Sequence, residues 1–206
     1  MKEVVRDYLW MTMFKDIDNS KLYDTCVRVE EELKKVLPPI PKEVNNEYGS
    51  FTTYYHQNYN LFSFPCSELH KLYSNMARSF GSILEGKQYY VRCWANLFDK
   101  NKNIDWHSHW EPQYHAYHGF YCVNTEGKHH SYTEYAIPNQ KDVYQLMSQN
   151  GLCVFGKSDG DKHRSSKWLN NNLRVTIAFD VIPVESLRPN ADFSQNILHN
   201  YIPMYK

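Results

Sequence analysis

The segment Leu173-Arg174-Val175-Thr176-Ile177-Ala178-Phe179-Asp180-Val181 alternates between apolar and mixed residues without a break. A period of two marks an extended strand with one face in a core. Leu173, Val175, Ile177, Phe179 and Val181 share the core face, and Arg174, Thr176, Ala178 and Asp180 share the other. An arginine opening that second face is expensive to bury without an anionic partner. A ligand carboxylate would supply one through two parallel hydrogen bonds. A structural salt bridge to Asp180 or Asp161 is the alternative.

Working outward, the same period recurs after Gly86 in Tyr89 to Phe98, Ile104 to Trp110, Gly119 to Asn124, Ser131 to Ile137 and Leu152 to Phe155. Before Gly86 the period is helical. Leu22, Cys26, Val29, Leu33 and Val36 make one stripe, capped at Asn19 or Ser20 and ended by Pro38-Pro39. Leu69, Leu72, Tyr73, Met76, Phe80 and Ile83 make a second from Ser67 to about Leu84, which Gly86 is placed to end. Pro41 to Asn60 reads as loop and edge strand, with Phe51 to Tyr55 β-like. Helices first and strands afterwards indicate an α+β chain whose catalytic part is an antiparallel sandwich or barrel. We divide its single domain into a helical support region at 1–86, a strand-rich core at 87–183 and an irregular tail at 184–206 wrapped over the surface.

At 206 residues the chain can bury a substantial core without disulfides. Its 23 basic and 23 acidic residues cancel, which leaves no basic field for nucleic acid. The five cysteines are scattered and include no C-x-x-C pair, as expected of free buried thiols in a reducing compartment. The first eighteen residues interrupt their apolar positions with charges, unlike a signal peptide or a membrane span. The expectation is a soluble, cytoplasmic protein.

Chemistry concentrates in Asp105-Trp106-His107-Ser108-His109-Trp110-Glu111-Pro112. Residues i and i+2 of a strand point the same way, roughly 7 Å apart, within reach of one metal ion. Asp105, His107, His109 and Glu111 therefore offer two imidazoles and two carboxylates on one wall. A third anchor is best sought in His163, which follows the apolar strand Gly151 to Phe155 and the turn Gly156 to Lys162. With ten histidines in the chain, the structural alternative for the pair is two solvated or hydrogen-bonded side chains. His115, His118, His129 and His130 are read as solvated or supporting residues, and Trp94, Trp106 and Trp110 as core and pocket wall.

This order resembles the 2-oxoglutarate/Fe(II) dioxygenase superfamily, and more narrowly its prolyl-hydroxylase-like branch of small bacterial and viral members with an H-x-H element. The likeness spans about Asn45 to Val181. It rests on Trp94-Ala95-Asn96 thirteen to eleven residues before His107, on Gly119-Phe120-Tyr121, and on Gly151 to Phe155 ahead of His163, with Arg174 eleven residues beyond that histidine. It implies a double-stranded β-helix, or jelly roll, with the N-terminal helices packed on one sheet. It implies Fe(II) on His107 and His163, 2-oxoglutarate as co-substrate on Arg174, and Asn96 as a further co-substrate contact, as in AlkB-type enzymes. Tyr121 is implied for the same pocket.

The implied activity is hydroxylation of an unidentified small molecule or peptide side chain by O2, releasing succinate and CO2. Most members carry Asp or Glu where this chain has His109. His109 is taken as the third metal ligand, with Asp105, Glu111 or water as alternatives. Two other readings compete. A cupin-type metal enzyme would not use 2-oxoglutarate, but cupins place Glu three or four residues beyond the H-x-H, and Glu111 comes only two after His109. A non-catalytic jelly-roll binding module would have lost the metal.

Overall fold

The computed structural model describes residues 1–5, 7–44, 47–84, 86–187 and 200–204. Among the described residues, ten strands form two antiparallel sheets. β1 (Lys2–Val5), β2 (Leu9–Met13), β3 (Tyr89–Phe98), β4 (Tyr117–Asn124), β7 (Leu152–Lys157), β9 (Arg174–Pro183) and β10 (Ile202–Met204) make a seven-stranded sheet in the order β1-β2-β7-β4-β9-β3-β10. β5 (Tyr132–Ala136), β6 (Val143–Met147) and β8 (Lys162–Ser165) make a three-stranded sheet in the order β6-β5-β8. This is a jelly roll with helices against one sheet, as the family resemblance implies.

Alternation along β3 and β9 gives the large sheet its two faces. Val91, Cys93, Ala95 and Leu97 of β3 and Val175, Ile177, Phe179 and Val181 of β9 enter a core with Leu22, Cys26, Val29 and Leu33 of α1 (Asn19–Val36) and Leu69, Leu72, Met76 and Phe80 of α3 (Ser67–Phe80). Phe80 is fully buried, its ring stacked on Phe155 with centroids 3.9 Å apart. Phe80→Ala should cost about 3–5 kcal/mol, read as a lower denaturation midpoint with unchanged slope. A second core of Phe120, Cys122, Val154, Tyr135, Ile137 and Leu146 joins the opposite face to the small sheet.

Several local expectations are corrected. The 1–86 region is not wholly helical, because β1 and β2 form a hairpin whose second strand pairs with β7. Charges at Lys2, Glu3, Asp7 and Lys15 hide its short alternation. Phe51 to Tyr55 is no edge strand: Phe51–Tyr54 is the short helix α2, nucleated by the Ser50 side chain accepting from Thr53 N. α1 is capped by Asp18, whose carboxylate accepts from Ser20 N and Lys21 N, rather than by Asn19 or Ser20. Val36 is exposed and does not extend its stripe. α3 ends at Phe80 with Gly81 as cap, six residues before Gly86. β6 carries no strand signal in the sequence, being an edge strand with Val143 and Met147 exposed. The tail is not irregular throughout, since β10 pairs with β3; residues 188–199, including Pro189, lie outside the described residues. All five cysteines are free, four of them buried. No described helix is long and apolar enough to cross a membrane.

Candidate functional site

The free face of β3 and β9 closes one side of a cavity of about 420 Å³ between the sheets. Its wall follows from register. Opposed pairs across the two strands are Arg92 with Asp180, Trp94 with Ala178, Asn96 with Thr176, and Phe98 with Arg174. Three of them interact: Arg92 Nη2 donates to Asp180 Oδ2 at 2.9 Å, Asn96 Nδ2 donates to Thr176 Oγ1 at 3.2 Å, and the Arg174 guanidinium lies 5.8 Å from the Phe98 ring centroid. All eight residues line the cavity.

The H-x-H element does not form the strand expected over Ile104 to Trp110. It makes one antiparallel bridge, in which His107 N donates to His163 O and His163 N to His107 O. His107 is thereby fixed opposite the histidine of β8. Past Ser108 the chain leaves the small sheet, and His109 reaches the large one, where its Nδ1 lies 2.6 Å from Asp180 Oδ1. The two histidines thus span both sheets. Asp105 and Glu111, expected on the same wall, are exposed, and their side chains bond Trp106 N and Gln113 instead.

Ligand atoms of His107, His109 and His163 all lie within 4.8 Å of one another. His107 Nδ1 is 2.8 Å from Asp105 O and His109 Nδ1 faces Asp180, so in both rings Nε2 is the nitrogen left free. Such anchoring of Nδ1 by a carbonyl or carboxylate fixes the tautomer of a metal-binding histidine. Burial pulls the His107 imidazole well below its ordinary pKa, helped by His163 and His109; burial also lowers His163, partly offset by Asp161. Burial pushes the Asp180 carboxyl up, but His109 and Arg92 outweigh it and hold the group well below the usual range. Neutral imidazoles are the metal-binding form.

Arg174 is 1% exposed, and no carboxylate pairs with it among the described residues. Asp180 is engaged by Arg92 and His109, and Asp161 faces two histidines, so neither forms the salt bridge that was the alternative for Arg174. Its Nη1 makes a long 3.4 Å bond to Ser166 O, and its Nε has no partner. Burial lowers it to about 10, so it is cationic at neutral pH. A cation with unmet donors on a cavity wall fits an anionic ligand.

Asn96 stands beside Arg174 in the cavity, its Oδ1 accepting from Thr53 Oγ1 at 2.6 Å. Tyr121 does not join them. β4 presents Tyr117, Tyr121 and Val123 to the helices, and the Tyr121 hydroxyl donates to Asn19 Oδ1 at 2.8 Å. The alternation that puts Phe120 on the cavity side turns its neighbour away.

Four residues of the site were missed or underweighted in the sequence. His118, one position of alternation from Phe120, is 1% exposed and stacked on His163 with centroids 4.6 Å apart. Asp161 lies against both. His56 lines the cavity against Trp94, lowered to about 4 chiefly by burial. Arg92 was legible only as the start of an alternating run with Trp94, Asn96 and Phe98. His115, His129 and His130 are exposed, as read.

No protein-family sequence model matches the chain, and no curated protein matches it in sequence. Solved structures do match in shape. A prolyl hydroxylase from Trichoplax adhaerens, solved with a hypoxia-inducible-factor peptide fragment, superposes with TM-score 0.57 at 10% identity over 90% of this chain and 89% of its own. The chain has the fold of these oxygenases. The non-haem monooxygenase ThoJ, solved as a nickel complex, gives TM-score 0.57 at 14% identity over 86% of this chain and 74% of its own. SnoN, a non-haem α-ketoglutarate-dependent epimerase from nogalamycin biosynthesis, gives 0.54 at 9% identity over 86% and 77%.

Proposed function

We propose that this protein is an Fe(II)/2-oxoglutarate-dependent oxygenase that hydroxylates an as yet unidentified substrate. The observation that carries the reading is one cavity holding three convergent imidazoles and, on β9, a buried arginine with no carboxylate partner among the described residues. His107, His109 and His163 would hold the metal. Arg174 would bind the far carboxylate of 2-oxoglutarate, with Asn96 and Thr176 beside it. The bound metal and co-substrate would supply oxidative decarboxylation to succinate and CO2, coupled to oxidation of a substrate C–H bond by O2.

The chain's own residues set the conditions for that chemistry. Three neutral imidazoles would fill only part of a dication's shell and leave positions for a bidentate chelator and O2. They also leave the metal its full charge, which favours an anionic chelator. Arg174 would fix the chelator's orientation from the opposite end, with the buried Phe98 ring 5.8 Å from its guanidinium. Trp94, Trp110, Tyr48 and His56 line the remaining space, an apolar chamber with a few polar groups suited to a small molecule or a peptide side chain.

Asp180 holds His109 by the ring nitrogen that does not face the other two histidines. Asp180→Asn should therefore weaken metal binding about 10- to 100-fold in a competition titration against a chromophoric chelator. Unchanged affinity would show that His109 needs no anchor or is not a ligand. The functional reading itself is tested by thermal unfolding. 2-Oxoglutarate should raise the midpoint of protein loaded with redox-inert Zn(II), by about 2.7 kcal/mol of stabilisation at one hundred times its dissociation constant. It should leave metal-free protein nearly unmoved. Stabilisation independent of metal, or none with it, would contradict the reading.

A further inference from the structure

Beside His163 lies a second cluster that the proposed mechanism leaves unused, and its His118 ring also stacks on His109, with centroids 4.9 Å apart. Asp161 Oδ2 is 3.4 Å from His163 Nδ1 and 3.4 Å from His118 Nε2. Ligand atoms of the three residues also fall within 4.8 Å of one another, and all three are buried. None of these three atoms makes a hydrogen bond, and the two 3.4 Å approaches are the contacts each has to a group of opposite polarity. The Ser158 hydroxyl is 3.0 Å from His118 Nδ1, so it can donate there and keep the His118 proton on Nε2, facing Asp161.

A carboxylate only 2% exposed is costly unless a cation offsets it. No lysine or arginine among the described residues pairs with Asp161; its neighbours are two imidazoles. A cation on the cavity side of His163, where the other two histidines converge, would offset that charge through the ring. The arrangement repeats what Asp180 does for His109. Of the three rings that meet a buried carboxylate, the two proposed to hold the metal, His109 and His163, do so through Nδ1, which leaves Nε2 as their other ligand atom, whereas His118 does so through Nε2.

We propose that Asp161, braced by His118, is a positioning residue for the metal site. It accepts a hydrogen bond from His163 Nδ1–H, fixes Nε2 as the nitrogen offered to the metal, and supplies through the ring the negative charge that three neutral imidazoles lack. The acid absent from the H-x-H element is thus moved one layer outward, to Asp161 and Asp180. This inference rests on the metal-site reading above.

Two measurements on the full chain test it. In metal-free wild type selectively labelled with ¹⁵N-histidine, long-range ¹H–¹⁵N spectra should show His163 as the Nδ1–H tautomer. The Nε2–H tautomer would overturn the proposal, whatever any variant does. In a Zn(II) competition titration, Asp161→Asn should bind about 10- to 100-fold more weakly than wild type. Its metal-free unfolding midpoint should stay equal or rise, because a buried charge has been removed. A purely structural role would instead lower the metal-free midpoint and spare the affinity, and that result overturns the proposal. So would two equivalents of Zn(II) in wild type with one lost in Asp161→Asn, which would make Asp161 a direct ligand of a second ion. Wild type that binds no divalent metal would sink the site reading and this inference together, whereas wild type that binds with Asp161→Asn unaltered sinks only the inference.

Discussion

Arg174→Ala is expected to weaken 2-oxoglutarate binding by at least about thirtyfold while leaving metal affinity within a few-fold of wild type. The direction follows from burial. The guanidinium is 1% exposed, with one long bond to Ser166 O and an unpartnered Nε, so its donors are free for a carboxylate. Truncating one partner of a desolvated, hydrogen-bonded charge pair costs about 2–5 kcal/mol, and each 1.4 kcal/mol is a factor of ten in affinity. Metal binding is spared because Arg174 is not among the residues that could ligate it. Arg174→Lys keeps the charge but loses the planar fork, and should fall between wild type and Ala. The metal-free alanine variant should unfold no earlier than wild type, since it loses a buried cation that the protein alone does not neutralise. Calorimetric titration of the Zn(II)-loaded proteins checks this, and equal affinities would remove Arg174 from the co-substrate site.

His163→Ala is the second large effect. The ring sits where the two sheets meet, bridged to His107 through both backbone hydrogen bonds, with centroids 4.3 Å from His107 and 5.1 Å from His109. Removing it takes away the one imidazole supplied by β8. Metal affinity should fall by more than about a hundredfold, beyond the range seen when only a residue behind a ligand is changed. His107→Ala should behave alike. His115→Ala, exposed and outside the cavity, should retain stoichiometric metal. Metal content after dialysis distinguishes these outcomes, and full loading of His163→Ala would place the metal elsewhere.

The sequence was most informative where one strand face is buried and the other lines the cavity. Arg174, Thr176, Ala178 and Asp180 were separable from the core residues of β9 by alternation alone, and the structure places all four on the cavity wall. The same rule, carried one strand further, would have excluded Tyr121 and drawn in His118. The H-x-H element was chemically legible but geometrically misread. An extended strand would have pointed Asp105 and Glu111 the same way, whereas a single bridge at His107 lets the chain turn and hand His109 to the other sheet. Asp161 was legible only as a turn residue and a salt-bridge alternative for Arg174, because its position beside His163 and His118 depends on pairing between β8 and β5 that no local pattern encodes. The β1–β2 hairpin, α2 and β10 are short elements held by tertiary contact, so their local periodicity carries little signal.

The central claim is that one cavity binds a divalent metal through three histidines and 2-oxoglutarate through that metal and Arg174. Anaerobic titration of the protein with Fe(II) and then 2-oxoglutarate addresses it directly, because a weak visible charge-transfer band requires both to bind the same centre. The account predicts a band that saturates at one equivalent of each, is lost in His163→Ala, and needs far more 2-oxoglutarate in Arg174→Ala. Tightly bound Fe(II) with no band on adding 2-oxoglutarate would contradict it.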